Sequence, residues 1–307
     1  MKLHVREYGT SGETVMILHG LFGSGDNWHA VGQTLSARYR VLLPDLPNHG
    51  ESPHVEDMSY PVMTASLVET LDDMNVERVH LIGHSMGGKV AMAFALRYPE
   101  RVASLVVVDI APRTYPGYHR DIIATMRKVP VETLTARNGA DPYLAEGIPN
   151  RGVRAFLMKN LVRREDGEGY AWRLNLPVIQ AQYDHLSSWP EPEAGASYDG
   201  PVLFVGGGAS PYMRDVTVGE LRPLFPMARI ETIESAGHWV HAEARERFLD
   251  TVSGFLEQHE GRAGGGGTVA SRARDGGNET GPVEGGENAG GHAGTGRTGR
   301  EDTGASS

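Results

Sequence analysis

The 307-residue chain contains no cysteine, which excludes disulfides, thiolate catalysis and cysteine-type zinc sites. No segment approaches the roughly 18 consecutive apolar residues of a membrane span. The opening residues, Met1-Lys2-Leu3-His4-Val5-Arg6-Glu7-Tyr8, lack the uninterrupted apolar stretch of a secretory signal, so a cytoplasmic location is expected. Positive charge is scarce: 29 Lys and Arg stand against 39 Asp and Glu, for a net charge of −10. With no basic block in an acidic chain, nucleic acid is not expected as a partner. Aromatic residues are missing altogether from Gly261 to Ser307, where 16 of 47 residues are glycine and the only large aliphatics are Val269 and Val283. Such a stretch buries too little apolar surface to offset its ordering entropy, and a disordered Gly-rich tail over 259–307 is expected. From Gly261 onward five arginines and six acids nearly cancel, so the body carries almost all of the negative charge.

Short β-branched runs alternate with helical patterns through that body, as in a mostly parallel sheet with crossover helices. The spacing predicts strands at Leu3–Tyr8, Thr14–His19, Arg40–Pro44, Val79–Ile82, Ser104–Asp109, Pro201–Val205 and Arg229–Ile233. Helices are predicted at Trp28–Arg38, Val62–Met74, Met86–Tyr98 (stopped by Pro99) and His241–Gln258. The alternation breaks between Pro112 and Gly200, which reads as a cap over 113–199 inserted into a core formed by 1–112 and 200–258. Within the cap, Val153–Arg164 reads as a helix with Val153, Phe156, Leu157 and Leu161 on its apolar face.

Gly83-His84-Ser85-Met86-Gly87 matches G-x-S-x-G between a predicted strand and a predicted helix. In that context the motif is a nucleophile elbow: small residues permit a tight turn that exposes the serine hydroxyl at a helix N-terminus. His19-Gly20-Leu21 follows another strand, where the backbone N–H of Leu21 can meet that of Met86 at one developing oxyanion. His19 itself reads as structural, as do the polar side chains of Asp45–Ser52. Among thirteen histidines, His238 follows the last strand and emerges on the same sheet edge as Ser85, which makes it the candidate base. His241 reads as an orienting or capping residue, and with no third ligand in evidence no metal site is expected. The turn Gly206–Tyr212 holds no carboxylate, only Ser210 where an acid would commonly stand. Asp109, at the end of the strand beside the elbow strand, is the preferred third member, and Asp215 the alternative. Phe22, Phe156, Trp172, Tyr212 and Trp239 are candidate pocket residues. Arg154, Lys159, Arg163 and Arg164 form one modest basic cluster, read either as a solvated helix face or as a site for an acidic substrate moiety.

These motifs resemble the α/β-hydrolase superfamily, and within it the small bacterial esterases of the YbfF type and their mitochondrial relatives. The matching stretches are His19–Ser24, Asn48–Gly50, Gly83–Lys89, Asp109–Pro112, Ser210–Tyr212 and Gly237–Glu243. The resemblance covers about residues 14–258. It implies cofactor-free hydrolysis of a small-molecule ester or acyl thioester through Ser85, His238 and Asp109. Ser85 excludes, by residue type, the aspartate nucleophile of dehalogenases and epoxide hydrolases. Carbon–carbon bond hydrolysis, perhydrolysis and non-catalytic ligand binding remain open on the same scaffold.

Overall fold

The computed structural model describes residues 1–262. Its strands are β1 (Val5–Tyr8), β2 (Thr14–Leu18), β3 (Arg40–Pro44), β4 (Val79–His84), β5 (Val102–Val108), β6 (Leu161–Arg163), β7 (Tyr170–Trp172), β8 (Val202–Gly207) and β9 (Ala228–Ile233). Seven of them form one sheet in the order β1-β3-β2-β4-β5-β8-β9. Only the β1–β3 pairing is antiparallel. β2 pairs with β3 on one side and β4 on the other, so the chain reverses its direction of travel across the sheet there. In open α/β sheets the crevice beyond the strand C-termini at such a reversal is where ligands bind.

The strands β2, β4, β5 and β8 are buried throughout. Their alternation sorts side chains onto two faces. Met16, Leu18, Leu105, Val107, Val202 and Phe204 join one apolar cluster, and Val15, Ile17, Val106, Val108, Leu203 and Val205 the other. Helices α1 (His29–Leu35) and α11 (Arg245–Glu257) cover the second cluster through Val31, Leu35, Phe248, Val252 and Phe255. The first is covered by α2 (Tyr60–Asp73) and α3 (Met86–Arg97), with Met63, Leu67, Val90 and Phe94. Each such side chain contributes about 1.5–3 kcal/mol on burial, enough to fix strand register.

Between β5 and β8 lies an insert of short helices, α4 (Arg120–Met126), α5 (Asp141–Ala145), α6 (Arg151–Met158), α7 (Leu176–Ala181) and α8 (Tyr183–Ser187), with the antiparallel ribbon β6–β7. Leu157, Ile179 and Leu186 continue the first apolar cluster. The expected helix over Val153–Arg164 is corrected here: it ends at Met158, and Leu161–Arg163 pairs with Tyr170–Trp172. Asp166-Gly167, with Gly167 at φ +81°, turns the ribbon because that backbone conformation costs glycine little. The expected helix His241–Gln258 is two, α10 (Val240–Glu243) and α11, broken at Ala244. Asp215 lies in a turn before α9 (Val218–Leu221).

The segment expected as a tail begins in ordered structure: His259 donates its backbone N–H to Leu256, and the Arg78 guanidinium donates to the carbonyl of Arg262. From residue 263 onward it lies outside the described residues. Among the described residues no helix is long and apolar enough to cross a membrane.

Candidate active site

The elbow between β4 and α3 is held by backbone contact. A Cβ on Gly83 would stand 2.3 Å from the carbonyl oxygen of Gly87, and one on Gly87 would stand 2.5 Å from those of both Leu18 and His19. Larger residues would force β4, α3 and the loop after β2 apart. Ser85 sits between them at φ +53°, a backbone strain of the kind that surrounding structure must over-determine. Its N–H donates to the Val108 carbonyl, which clamps the elbow to the end of β5.

His238 follows β9 and bridges the two strand ends. Its Nε2 lies 3.1 Å from Ser85 Oγ and its Nδ1 2.7 Å from Asp109 Oδ2. Asp109, fully buried and at φ +50°, directly follows β5. Its Oδ1 accepts the Gly207 N–H at 2.9 Å, and Oδ2 also accepts the Ser210 hydroxyl. The turn that lacks a carboxylate therefore supplies two donors to one instead. Asp215 is exposed, and its carbonyl accepts from Arg113. A proton can pass from Ser85 to His238 while the buried carboxylate holds the imidazole tautomer and stabilises its cation.

Leu21 and Met86 line a small cavity of about 40 Å³ together with Ser85 and Tyr212. Met86 opens α3, and the first N–H groups of a helix have no intrahelical acceptor. A larger cavity of about 200 Å³ also reaches Ser85 and His238, with Leu21, Phe22, Ile122, Val153, Phe156 and Trp239 in its wall. Tyr212 stacks on His238 with ring centroids 4.2 Å apart. Trp172 lines neither cavity. It lies in β7, packed against the first apolar cluster.

The supporting shell is mostly histidine. His19 Nδ1 donates to the Gly20 carbonyl and Nε2 accepts the Leu46 N–H; His49 donates to Pro47 and accepts the Phe22 N–H. Both rings must be neutral to accept. Burial supports this, lowering the His19 pKa and holding that of His49 at about 3. Asp45 receives the N–H groups of Gly25 and Glu51 beside Arg6, and Ser52 donates to its carbonyl. His84 donates from Nε2 to the His238 carbonyl, 154 residues away in the chain. Burial, with His238 and His241 nearby, keeps the His84 pKa well below its usual range. His241 stacks on Trp28 at 4.0 Å rather than capping α11, and burial pushes its pKa to about 3.

Two groups carry no motif that would single them out. Lys89, one turn into α3, is buried and donates to the carbonyls of Ser187 and Ser188, tying the insert to the elbow helix. Desolvation lowers its pKa to about 7. His119, from the insert, lines both cavities at Ser85. The basic cluster is dispersed: Arg154 binds Asp141, Arg164 binds Asp166, and Arg163 binds backbone carbonyls. Lys159 alone lines a separate polar cavity, with Arg137 and Arg173. Among the described residues no three His, Cys, Asp or Glu side chains converge as metal ligands.

A family model for the alpha/beta hydrolase fold matches residues 13–244. The chain is 41% identical over 250 residues to the sn-1-specific diacylglycerol lipase ABHD11 of Mus musculus, covering 79% of this chain and 80% of that protein. It is 37% identical over 261 residues to esterase YbfF of Escherichia coli strain K12, covering 83% and 99% respectively. Among solved structures, a marine microorganism esterase superposes with a TM-score of 0.80 at 38% identity, over 83% of this chain and 99% of that one.

Proposed function

The chain belongs to the α/β-hydrolase family, and as a carboxylic ester hydrolase of that family we propose that it works through a covalent acyl-serine intermediate at Ser85. The observation that carries this reading is the continuous hydrogen-bonded path Ser85–His238–Asp109. His238 Nε2 removes the hydroxyl proton as Ser85 Oγ attacks the ester carbonyl. The carbonyl oxygen becomes an oxyanion held by the N–H groups of Leu21 and Met86. His238 then passes the proton to the departing alcohol or thiol. A water deprotonated by the same imidazole attacks the acyl-serine and releases the acid.

Residues 113–199 act in this account as a cap that closes the substrate cavity over the sheet edge. The apolar wall formed by Leu21, Phe22, Val153, Phe156 and Trp239 suits an acyl chain of small to medium length, and Tyr212 backs the imidazole. Oxygen esters and thioesters present the same electrophilic carbonyl to Ser85. A fluorophosphonate probe tests the reading: it should label the wild-type protein at Ser85 and fail to label Ser85→Ala. Labelling elsewhere, or esterase activity that survives Ser85→Ala, would refute it.

A further inference from the structure

Most histidines around the site spend both ring nitrogens, or lose access to them, inside the protein; His119 does not. Its Nδ1 lies 3.0 Å from the Tyr183 hydroxyl, and that hydroxyl also accepts the backbone N–H of His119 at 3.0 Å. Tyr183 is buried, so its single hydroxyl proton needs an acceptor. With the oxygen already receiving the backbone N–H, the acceptor beside it is Nδ1. The neutral ring must then carry its proton on Nε2. Burial and the nearby His238 push the His119 pKa down to about 4, so the ring is neutral at ordinary pH. The ring meets Phe22 edge-on and stands in the walls of both the large and the small cavity, which otherwise share only Leu21 and Ser85. It is placed where the two ends of a substrate diverge from the carbonyl under attack.

We infer that His119 is a specificity residue: its Nε2–H donates a hydrogen bond to a second acceptor oxygen of the substrate, close to the scissile ester, so that esters bearing such an oxygen are preferred over isosteric hydrocarbon esters. The inference rests on the Ser85 reading for the position of the scissile carbonyl. A neutral donor suits this place. A cation there would oppose the imidazolium that His238 becomes during attack. A hydrocarbon ester would leave the half-enclosed N–H unpaired, which is the source of discrimination in sites built around a polar group.

The test compares matched esters differing by an ether oxygen in place of one methylene. Methoxyethyl butanoate against butyl butanoate probes the alcohol side, and ethyl methoxypropanoate against ethyl pentanoate probes the acyl side. In the wild type, kcat/KM should favour the oxygen-bearing member of at least one pair by on the order of ten-fold. His119→Phe should bring that ratio near one, and His119→Gln, which keeps an N–H donor, should retain part of it. Tyr183→Phe, which frees the tautomer without removing the ring, should lower the same ratio and keeps the test decisive if His119→Phe does not fold. A wild-type ratio near one in both pairs, or a ratio unmoved by His119→Phe or Tyr183→Phe, would overturn the inference. Hydrolysis of the hydrocarbon esters that survives Ser85→Ala would instead overturn the mechanism, so the two failures are distinguishable.

Discussion

Ser85, Asp109 and His238 each follow a strand of one seven-stranded sheet, whereas His119, Val153 and Phe156 come from an insert in which no helix exceeds eight residues. On the sheet side, hydrogen-bonded backbone sets two of the three, Ser85 N–H on Val108 and Asp109 N–H on Val205, while the His84 side chain holds the His238 carbonyl. On the insert side, position is set by side chains reaching across, as Lys89 does to Ser187 and Ser188. The contrast suggests a division of labour. Chemistry that tolerates little displacement rests on laddered backbone, and substrate choice rests on elements that can change without moving it.

The largest expected effect strikes the sheet side. Ser85→Ala should lower kcat by on the order of 10⁵–10⁶, as removal of the nucleophile does in other serine hydrolases. Far-ultraviolet circular dichroism should be unchanged. A loss of under a hundred-fold would break the comparison at its base.

That side was also the more legible in the sequence. Val79–Ile82 and Ser104–Asp109 are mostly apolar runs, interrupted by His80 and bounded by Ser104 and Asp109, as burial on both faces of a parallel sheet favours, and their ends fall within two residues of β4 and β5. G-x-S-x-G is readable because contact distances at Gly83 and Gly87 leave no alternative residue. Asp109 was legible through topology, by the absence of an acid after β8 and its presence on the strand next to the elbow. The insert was not readable in this way. Leu161 continues the apolar spacing of α6 yet belongs to β6, and only Asp166-Gly167 announces the hairpin. His84, Lys89 and His119 act through partners 154, about 98 and 64 residues away. Such contacts have no local pattern.

A smaller effect tests how the turn after β8 supports the acid. Ser210→Ala removes one of the donors to Asp109 while Gly207 and His238 remain. It should cost about ten-fold in kcat with little change in KM, consistent with one hydrogen bond to a charged group. Steady-state kinetics on a single ester would show it. A defect as large as that of Ser85→Ala would mean that Ser210 does more than hold the carboxylate.

Lys89→Met probes the tie between the two regions, and thermal melts over pH read it. The folded-state pKa of Lys89 is lowered to about 7 from 10.5, so between those values the unfolded chain binds more protons. Wild-type stability should therefore rise with pH across that window relative to Lys89→Met, and the gain should be lost as pH falls through about 7. A gap between the two melting temperatures that is flat with pH would show that Lys89 is not desolvated as described.

The smallest expected change lies in the acid limb. His49 and His241 have pKa values lowered to about 3 from 6.5 by burial. Below 6.5 the unfolded chain takes up protons that the fold refuses, so stability should decline progressively from about pH 6.5 toward 3. In denaturant melts across that range, His49→Gln should decline less steeply than the wild type. Identical slopes would place the acid sensitivity elsewhere.

The account turns on a carboxylate supplied from β5 to a histidine that follows β9. The direct measurement is kcat for Asp109→Asn beside Asp215→Asn, with circular dichroism on both proteins. Asp109→Asn should stay folded and keep its KM but lose on the order of 10³–10⁴ in kcat, because the imidazole then lacks the partner that fixes its tautomer and stabilises its cation. Asp215→Asn should stay within a few-fold of wild type, since its side chain is exposed and makes no contact with His238. A folded Asp109→Asn that retains near-wild-type turnover, or a larger defect in Asp215→Asn, would contradict the account.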